Sequence, residues 1–599
     1  MTKWTYKNDT PDFDCSLYRY LVRGIEDTPH LKVLSFMGKH MRSQEFLSAI
    51  RHMAAYLRSV GVQEGDVVTL VMPNLPSAVV AFYAINYTGA IISVLHPLTP
   101  AAAILENMRS TGSRHLVCFD KLYPYQHPLL KDTDIHVTLL GAGTYYRGIL
   151  RWVIDSYNGC TTGRLRRICG KECAKRVVHY YPSTAVAPLA ERAQSGERTV
   201  LYLHSGGTTG TPKSIIVTNR MLNSVSLGII GLTHPLPPGS DTMLMVLPIF
   251  HGFGIGVCMH ATLPHGIRVV TEPSFRPHHM AHIIRREKVT LLAGVPTMFE
   301  KLLATKRIAG RGYSQLRNAY CGGDILDQAL KQRFDETMQS VGSPCRLYQG
   351  YGLAECVAVC SANSPLVGDI SGSIGRPIRG VQMCILDENG QPAAEGVRGE
   401  IAIAGDTVMQ SYLQPADEVF AVVDGVRWLK TGDCGYRKGD VFYYVGRFKR
   451  MSIIAGVNVY HQEVEKLASE VEGVVAAAVT ERWHKGKCHL VLWLEADLHD
   501  MQFAQSFNGV WANAVLVHSP DLFLALGNLW KVLKVGGVAY VSLKVNGANV
   551  ADERYFAPFD EGYLTECIRR VGFSIEEKLE TADQMGRDVR WLSLILRKC

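Results

Sequence analysis

Between Ser205 and Lys213 the chain reads SGGTTGTPK, which places three glycines, four hydroxyl side chains and a closing lysine in nine residues. Glycines let several backbone N–H groups converge on one anion with no Cβ in the way, and the lysine adds a positive charge at the end of the turn. The chemistry this suits is phosphate binding, with Ser205, Gly206, Gly207, Thr208, Thr209, Gly210 and Lys213 as candidate ligands. Thr199-Val-Leu-Tyr-Leu-His204 leads into it as a buried strand would. The spacing is not the GxxxxGK[ST] of a Walker loop, and a Gly/Thr-rich turn alone is more often an ordinary loop. Its meaning depends on the rest of the chain.

Further segments come later in the chain, in a fixed order. They are Tyr348-Gln-Gly-Tyr-Gly-Leu-Ala-Glu355, Thr431-Gly-Asp433, and Gly446-Arg-Phe-Lys-Arg450 followed by Gly456 and Glu463-Val-Glu465. The ordered set resembles the adenylate-forming superfamily, and within it the AMP-forming acyl-CoA synthetases of the fatty-acid–CoA ligase kind. The resemblance covers about residues 10 to 497, and ordered motifs are far more specific than any one alone. It implies that ATP and a carboxylate give an acyl-adenylate and pyrophosphate, after which the thiol of coenzyme A displaces AMP. ATP, Mg2+ and coenzyme A are the implied cofactors. Negative charge grows on the departing pyrophosphate, so fixed donors, a cation and Mg2+ should outweigh proton transfer.

Family positions map onto this sequence residue by residue. Ser205, Thr208, Thr209 and Lys213 would bind the β- and γ-phosphates, and Glu355 with Thr208 would hold Mg2+, a hard ion suited to oxygen. Tyr351, beside Gly352, would stack on adenine, and Gly322 and Gly323 would let the base approach the backbone. Asp433 would accept hydrogen bonds from the ribose hydroxyls, with Arg447 nearby. Without the resemblance, that glycine pair would be a turn, and an aspartate after Thr-Gly would be turn chemistry. His251, in LPIFHGFG, matches a histidine beside the acyl carboxylate, whereas a histidine among apolar neighbours is by default a core residue. Phe250, Phe253 and Ile255 with Gly252, Gly254 and Gly256 could line an apolar acyl channel. That favours a fatty acid, or an aromatic one, over an amino acid, because no acidic residue can be assigned to an α-amino group.

Several positions depart from the family pattern. Ala354 stands where threonine is usual, Ser214 replaces the glycine after the cradle lysine, and Arg450 replaces the aspartate after Lys449, the hinge residue. The family's small domain ends with a lysine in a proline-threonine-glycine-lysine context, and nothing after Glu495 matches it; Lys485, Lys487 and Lys544 are wrongly placed. Its loss should hurt adenylation more than thioester formation. Two alternatives therefore stand beside the synthetase: an adenylating protein that loads a carrier protein, and a catalytically impaired relative.

Toward its C-terminus the chain changes character. Phe507 to Leu516, a helix over Leu522 to Leu533, a strand over Gly536 to Leu543, and Gly572-Phe573 before a final strand Val589 to Leu596 resemble the back half of a class I methyltransferase. No strand with a GxGxG turn precedes it, so half a Rossmann sheet should not bind S-adenosylmethionine well.

The elements that must position these residues are legible in hydrophobic periodicity. Leu31–Phe36 reads as a strand and Ser43–Ser59 as an amphipathic helix with Phe46, Leu47, Ile50, Met53, Ala54 and Leu57 on one face. Val67–Met72, Ser77–Thr88 and Ala90–Val94 read as strand, helix and strand, and Thr199–Leu203, Met243–Leu247 and Leu291–Ala293 as strands that deliver residues to one crevice. The fold class is α/β: a large N-terminal domain of parallel sheets plus a small antiparallel unit over Ser373 to Leu429, then a small mobile α+β domain and a half-Rossmann α/β tail. The expected domains are 1–432, 433–500 and 501–599.

Composition agrees with several soluble domains, with 47% hydrophobic and 20% charged residues over 599 positions. The formal charge of +8 is small for this length and implies no nucleic-acid partner. The basic stretch from Tyr145 to Tyr180 could rest on an anionic membrane surface, although a solvated basic face is the commoner meaning. No signal-peptide pattern opens the chain and Pro73, Pro76 and Gly89 interrupt the apolar Val67–Leu98 stretch, so a cytoplasmic protein, possible at a membrane surface only peripherally, is expected. The 15 scattered cysteines suit a reducing compartment; Cys160, Cys169, Cys173 and His179 match no zinc spacing.

Overall fold

The computed structural model describes residues 13–130, 133–146, 177–180, 194–204, 213–233, 236–305, 307–309, 312–415, 419–454, 457–470, 474–484, 487–496, 507–513, 521–544, 561–582 and 590–598. Most of the basic 145–180 stretch, with Cys160, Cys169 and Cys173, lies outside them, as does Gly456. Contacts divide the chain into two units, Met1–Tyr444 and Val445–Cys599.

The first unit contains two large sheets. Seven strands run in the order Val177–His179, His136–Leu140, His115–Phe119, Val67–Val71, Ile91–Val94, Thr199–His204 and Ser214–Thr218, parallel except for the last pair. Nine strands form the other, with a parallel centre of Arg346–Tyr351, Asn318–Cys321, Leu291–Gly294, Thr242–Met245, Arg268–Thr271 and Lys32–Phe36. Thr199–His204 therefore belongs to a different sheet from Thr242–Met245 and Leu291–Gly294, where the sequence suggests one crevice fed by a single repeating pattern. Strand periodicity shows which residues are extended and is silent on which neighbours they choose.

The apolar stretch that could be mistaken for a membrane segment is the strand Val67–Val71 and the helix Pro76–Thr88. Every residue of that helix is buried; proline opens it, and Gly89 in the left-handed region (φ 76°) closes it. Helices covered on all sides carry apolar residues all round, hence the absence of amphipathic patterning here. No helix among the described residues is long and apolar enough to cross a membrane.

A third, antiparallel sheet contains Val381–Leu386, Gly399–Gly405, Phe420–Val423, Val426–Lys438 and Val441–Arg447. Thr431-Gly432-Asp433 lies within the strand Val426–Lys438 rather than at a border. The expected boundary after residue 432 thus falls inside a β-ladder, and the contact division comes at Tyr444.

One buried polar network in this unit is matched atom by atom. Asn223 Nδ2 donates to the carbonyls of Phe13 (2.9 Å) and Cys15 (3.0 Å), which leaves its Oδ1 to accept from His260 Nε2 at 2.9 Å. His260 Nδ1 must then accept from the Tyr83 hydroxyl, also at 2.9 Å. The neutral imidazole is satisfied, and burial lowers the His260 pKa to about 3 and that of His265, beside Ser226 and Tyr20, to about 4. In the unfolded chain both rings take up protons below about pH 6.5 while the folded chain does not, so the unfolded state binds more protons and stability falls as pH drops from about 6.5 toward 4 and 3. Urea midpoints measured across that range should fall for the wild type, and His260→Gln should be less stable at pH 7 yet show a shallower decline. An unchanged slope would remove His260 from the cause.

The second unit, taken alone, begins with the hairpin Met451–Ile454 and Val457–Tyr460, the helix His461–Ser469, and the long hairpin Val474–His484 and Lys487–Ala496. Arg450, the departure from the family's aspartate, pairs with Glu465, whose carboxylate also accepts from the Val479 N–H at 2.6 Å. Beyond this hairpin lies a four-stranded sheet in the order Phe507–Asn513, Leu533–Lys544, Arg590–Lys598, Phe573–Ala582, with only the first pair parallel. Lys598 is buried there, donating to the carbonyls of Trp530 (2.8 Å) and Leu533 (2.7 Å) with its ammonium 3.7 Å from the Trp530 ring centre. Both acceptors lie at the C-terminal end of the helix Leu522–Val532, where a cation is favourable.

Candidate functional site

Where the strands Asn318–Cys321 and Arg346–Tyr351 end, side by side and parallel, the chain lines an open-mouthed cavity of about 140 Å3. Its wall includes His251, Gly322, Gly323, Tyr351 and Gly352 from the sequence-derived set, together with Gly252, Phe253 and Ala354. Carboxyl ends of parallel strands are the usual ligand sites of such sheets because the loops there are free to diverge. A Cβ on Gly322 would stand 3.3 Å from the Phe253 ring and 3.5 Å from the Gly350 carbonyl oxygen, and Gly323 has φ +82°. Bare backbone faces the cavity, as close approach of a flat ring requires.

Tyr351 and Asp433, which the sequence presents as separate contacts, are partners: the Tyr351 hydroxyl donates to Asp433 Oδ2 at 2.7 Å. Burial and the adjacent carboxylate push the Tyr351 phenol well above its ordinary value, so it stays a proton donor at neutral pH. Asp433 is itself buried, and its N–H donates to Thr431 Oγ1 at 3.1 Å. The antiparallel sheet thereby fixes a ring in the cavity wall.

Lys213 and Glu355 meet at a residue that no motif marks, Tyr412. Its hydroxyl donates to a Glu355 carboxylate oxygen at 2.8 Å, and the Lys213 ammonium lies 5.2 Å from its ring centre. The segment around Tyr412 is held along the strand Ser214–Thr218 by Leu413 N–H to Ser214 O (2.8 Å) and Ile216 N–H to Ser411 O (3.2 Å). Ser214, another departure, accepts from Gln414 Nε2 at 3.1 Å and lies 3.2 Å from His204 Nδ1. On the opposite side, Met409 N–H donates to the Glu355 carbonyl at 2.8 Å. One stretch, Met409–Gln414, so ties the cradle lysine to the glutamate, and only long-range pairing reveals it.

His251 stands at the cavity mouth, reached by solvent yet crowded by protein; desolvation and neighbouring His96 lower its pKa. A neutral ring there accepts or donates a hydrogen bond without adding charge. The suggested acyl channel is divided. Gly252 and Phe253 line this cavity, whereas Phe250 lines a second one of about 840 Å3 and packs against His96 with ring centres 4.6 Å apart. Ile255 is in the core, and Gly254 is pressed on the Pro248 carbonyl, since eight residues from Phe253 to His260 form a π-helix.

Ser205, Gly206, Gly207, Thr208, Thr209 and Gly210 lie outside the described residues, as does the side chain of Lys449, which occupies the 3-10 turn Phe448–Arg450. Arg447 is exposed and belongs to the second unit. No cluster of metal-ligating side chains is found among the described residues.

The fold is α/β, with a glycine-walled cavity at the carboxyl ends of two parallel strands. Residues 22–413 match the family described as AMP-binding enzyme, and the chain belongs to that family. Residues 434–541 match a methyltransferase domain family, which starts earlier than the expected 501–599 fragment and ends within the strand Leu533–Lys544. Among curated proteins the chain is 27% identical to a long-chain-fatty-acid–CoA ligase of Bacillus subtilis, over 80% of this chain and 86% of that one. It is 26% identical to 4-coumarate–CoA ligase 2 of Nicotiana tabacum, over 72% and 75%. Similar solved folds include an O-succinylbenzoate coenzyme A synthetase of Bacillus subtilis in complex with ATP and magnesium ion (TM-score 0.64, 22% identity, 81% and 90% coverage). An anthranilate CoA ligase in complex with anthranoyl-AMP is another (TM-score 0.67, 20% identity, 82% and 88% coverage).

Proposed function

We propose that this chain activates a carboxylic acid with ATP, forming an acyl-adenylate and pyrophosphate, and transfers the acyl group to the thiol of coenzyme A. The observation that carries it is the convergence of His251, Gly322, Gly323 and Tyr351 on one cavity whose wall continues through Ala354 to Glu355. In this reading the bare backbone at Gly322–Gly323 receives adenine, Tyr351 stacks on it, and Asp433 binds the ribose while orienting Tyr351. Lys213 offsets charge on the phosphates with the cradle 205–210. Glu355 supplies the hard carboxylate oxygen that an Mg2+ ion needs, and the Tyr412 hydroxyl fixes its rotamer. Mg2+, when bound, would lower the cost of charge on the departing pyrophosphate. His251, neutral, would orient the acid's carboxylate.

Lys449 is proposed as the hinge, the part of the expected 433–500 domain that follows it as the moving piece, since Asp433 is held in the strand Val426–Lys438, and the 501–599 segment as a fragment without its own S-adenosylmethionine site. A second reading, a nucleotide-binding protein that does not complete adenylation, is favoured by the absence of a matching lysine after Glu495.

Pyrophosphate release from ATP and Mg2+, measured with a ladder of carboxylic acids with and without coenzyme A, separates them. Acid-dependent release that Lys213→Ala abolishes supports the ligase. ATP binding with no release from any acid moves the assignment to the second reading. Acyl-AMP that accumulates without acyl-CoA would point to a carrier protein as acceptor.

A further inference from the structure

We infer that Ser214, Gln414 and His204 form a hydrogen-bonded clasp that sets where Lys213 stands, and that all three are positioning residues for it; this rests on the ligase reading above, in which Lys213 meets the ATP phosphates. Each polar group of Ser214 is used. Its N–H donates to Gln414 Oε1 at 2.9 Å, its carbonyl accepts from the Leu413 N–H at 2.8 Å, and its hydroxyl accepts from Gln414 Nε2 at 3.1 Å. The far side of that hydroxyl meets His204 Nδ1 at 3.2 Å, and Ser214 and His204 are opposite residues of an antiparallel strand pair. Beyond the ring, His204 Nε2 lies 3.1 Å from Ser93 Oγ and 3.2 Å from Asn107 Nδ2, and Ser93 Oγ donates to Asn107 Oδ1 at 3.0 Å. Burial lowers the His204 pKa to about 4, so the ring is neutral near pH 7, with one nitrogen donating and the other accepting.

The contacts run from Gln414 through Ser214 and His204 to Ser93 and Asn107. They join the segment 411–414 to three neighbouring strands, Ser214–Thr218, Thr199–His204 and Ile91–Val94, and to the helix Ala101–Thr111. Lys213 is bonded to Ser214, and Tyr412, which holds Glu355, is two residues from Gln414. The clasp therefore bears on both the ammonium and the carboxylate, and a misplacement of about 1 Å at such a site can cost about a hundredfold. Backbone bonds at position 214 survive any side chain, but the link to His204 needs the hydroxyl. Glycine, the usual residue of the family at this position, would leave Gln414 Nε2 and the desolvated His204 Nδ1 each short of a partner. Restoring it in this chain should thus do harm.

ATP binding in the presence of Mg2+, measured on the full chain, tests this without turnover. Kd is compared for the wild type, Ser214→Gly, Lys213→Ala and the double variant. Ser214→Gly should weaken binding by about tenfold where Lys213 is present and by less than about twofold in the Lys213→Ala background, because a clasp that acts through the lysine then has nothing to place. Gln414→Leu should reproduce the Ser214→Gly effect, and the two combined should cost no more than either alone, since both cut one chain. Urea midpoints are recorded beside the binding; a serine that only stabilises the fold would lower the midpoint and give equal Kd ratios in both backgrounds. Equal ratios, ATP bound by Ser214→Gly as tightly as by the wild type, or additive losses for Ser214→Gly and Gln414→Leu would each overturn the inference. A wild type that binds ATP yet releases no pyrophosphate from any acid removes the ligase reading, while the Kd ratios still decide the clasp.

Discussion

Glu355→Gln is expected to lower acid-dependent pyrophosphate release by about two to three orders of magnitude, the scale on which one electrostatic stabiliser of a transition state is worth. The substitution is nearly isosteric. A glutamine oxygen can still accept from the Tyr412 hydroxyl, and the backbone bond from Met409 N–H to the residue's carbonyl is untouched, so the 3-10 turn Ala354–Cys356 should keep its shape. What disappears is the negative charge on an oxygen placed across Tyr412 from the Lys213 ammonium. The loss should therefore fall on the Mg2+ requirement and on kcat, with the thermal midpoint little changed. Tyr412→Phe provides the contrast, because it keeps the ring under Lys213 and removes one hydrogen bond to a charged group; its cost should be nearer about tenfold. Rates measured against Mg2+ concentration for the three proteins check the order. Glu355→Gln within a few-fold of wild type would remove Glu355 from the metal role.

The second large effect concerns two glycines. Between Cys356 and Ala358 the chain makes a γ-turn, with Val357 at φ 68° and ψ −52° and the Ala358 N–H donating to the Cys356 carbonyl at 2.8 Å. A β-branched residue in the left-handed region is strained and persists only where its surroundings hold it. Here they do. The Ala358 carbonyl oxygen would be 1.6 Å from a Cβ on Gly352, and the Val357 carbonyl oxygen 1.5 Å from a Cβ on Gly252. Both obstacles are backbone, so neither can swing aside. Gly352→Ala and Gly252→Ala should each cost at least about 3 kcal/mol, the upper end of overpacking penalties. Whatever folds should have lost activity, since displacing Val357 and Ala358 moves the cavity wall and the turn that carries Glu355. Gly527→Ala is the control: it sits in the helix Leu522–Val532 with nothing within 4 Å of a new Cβ, and it should be neutral or stabilising by about 0.5–1 kcal/mol. Urea denaturation beside the activity assay separates the cases, and a Gly352→Ala protein as stable as wild type would refute the packing argument.

These two effects differ in how far the chain alone announces them. Glu355 is conspicuous in sequence because it closes an ordered motif. The clash at Gly352 is invisible there, for Ala358 is brought back onto it by a turn that no residue in the stretch favours; valine is among the least suited to a positive φ.

Local elements are readable wherever a short window contains its own cause. The apolar spacing of Phe46, Leu47, Ile50, Met53, Ala54 and Leu57 predicts a helix over Ser43–Ser59, and the helix occupies those residues. Pro76 and Gly89 bracket the buried helix for reasons of backbone geometry alone. The tail's strand order, with one antiparallel strand between two others, likewise suits the half-sheet expected from its sequence.

By itself, then, the sequence determined the class of elements, the order of the motifs and the kinds of chemistry they carry, because glycine freedom, lysine charge and hydrophobic period are properties of residues and their near neighbours. Tertiary structure alone decided that Thr199–His204 enters a different sheet from Thr242–Met245, that Tyr351 is tied to Asp433, and that Tyr412 joins Lys213 to Glu355. Those outcomes are set by strand pairing and close packing between segments far apart in the chain, where many partners are compatible with the same local pattern and only the mutual fit of all of them selects one.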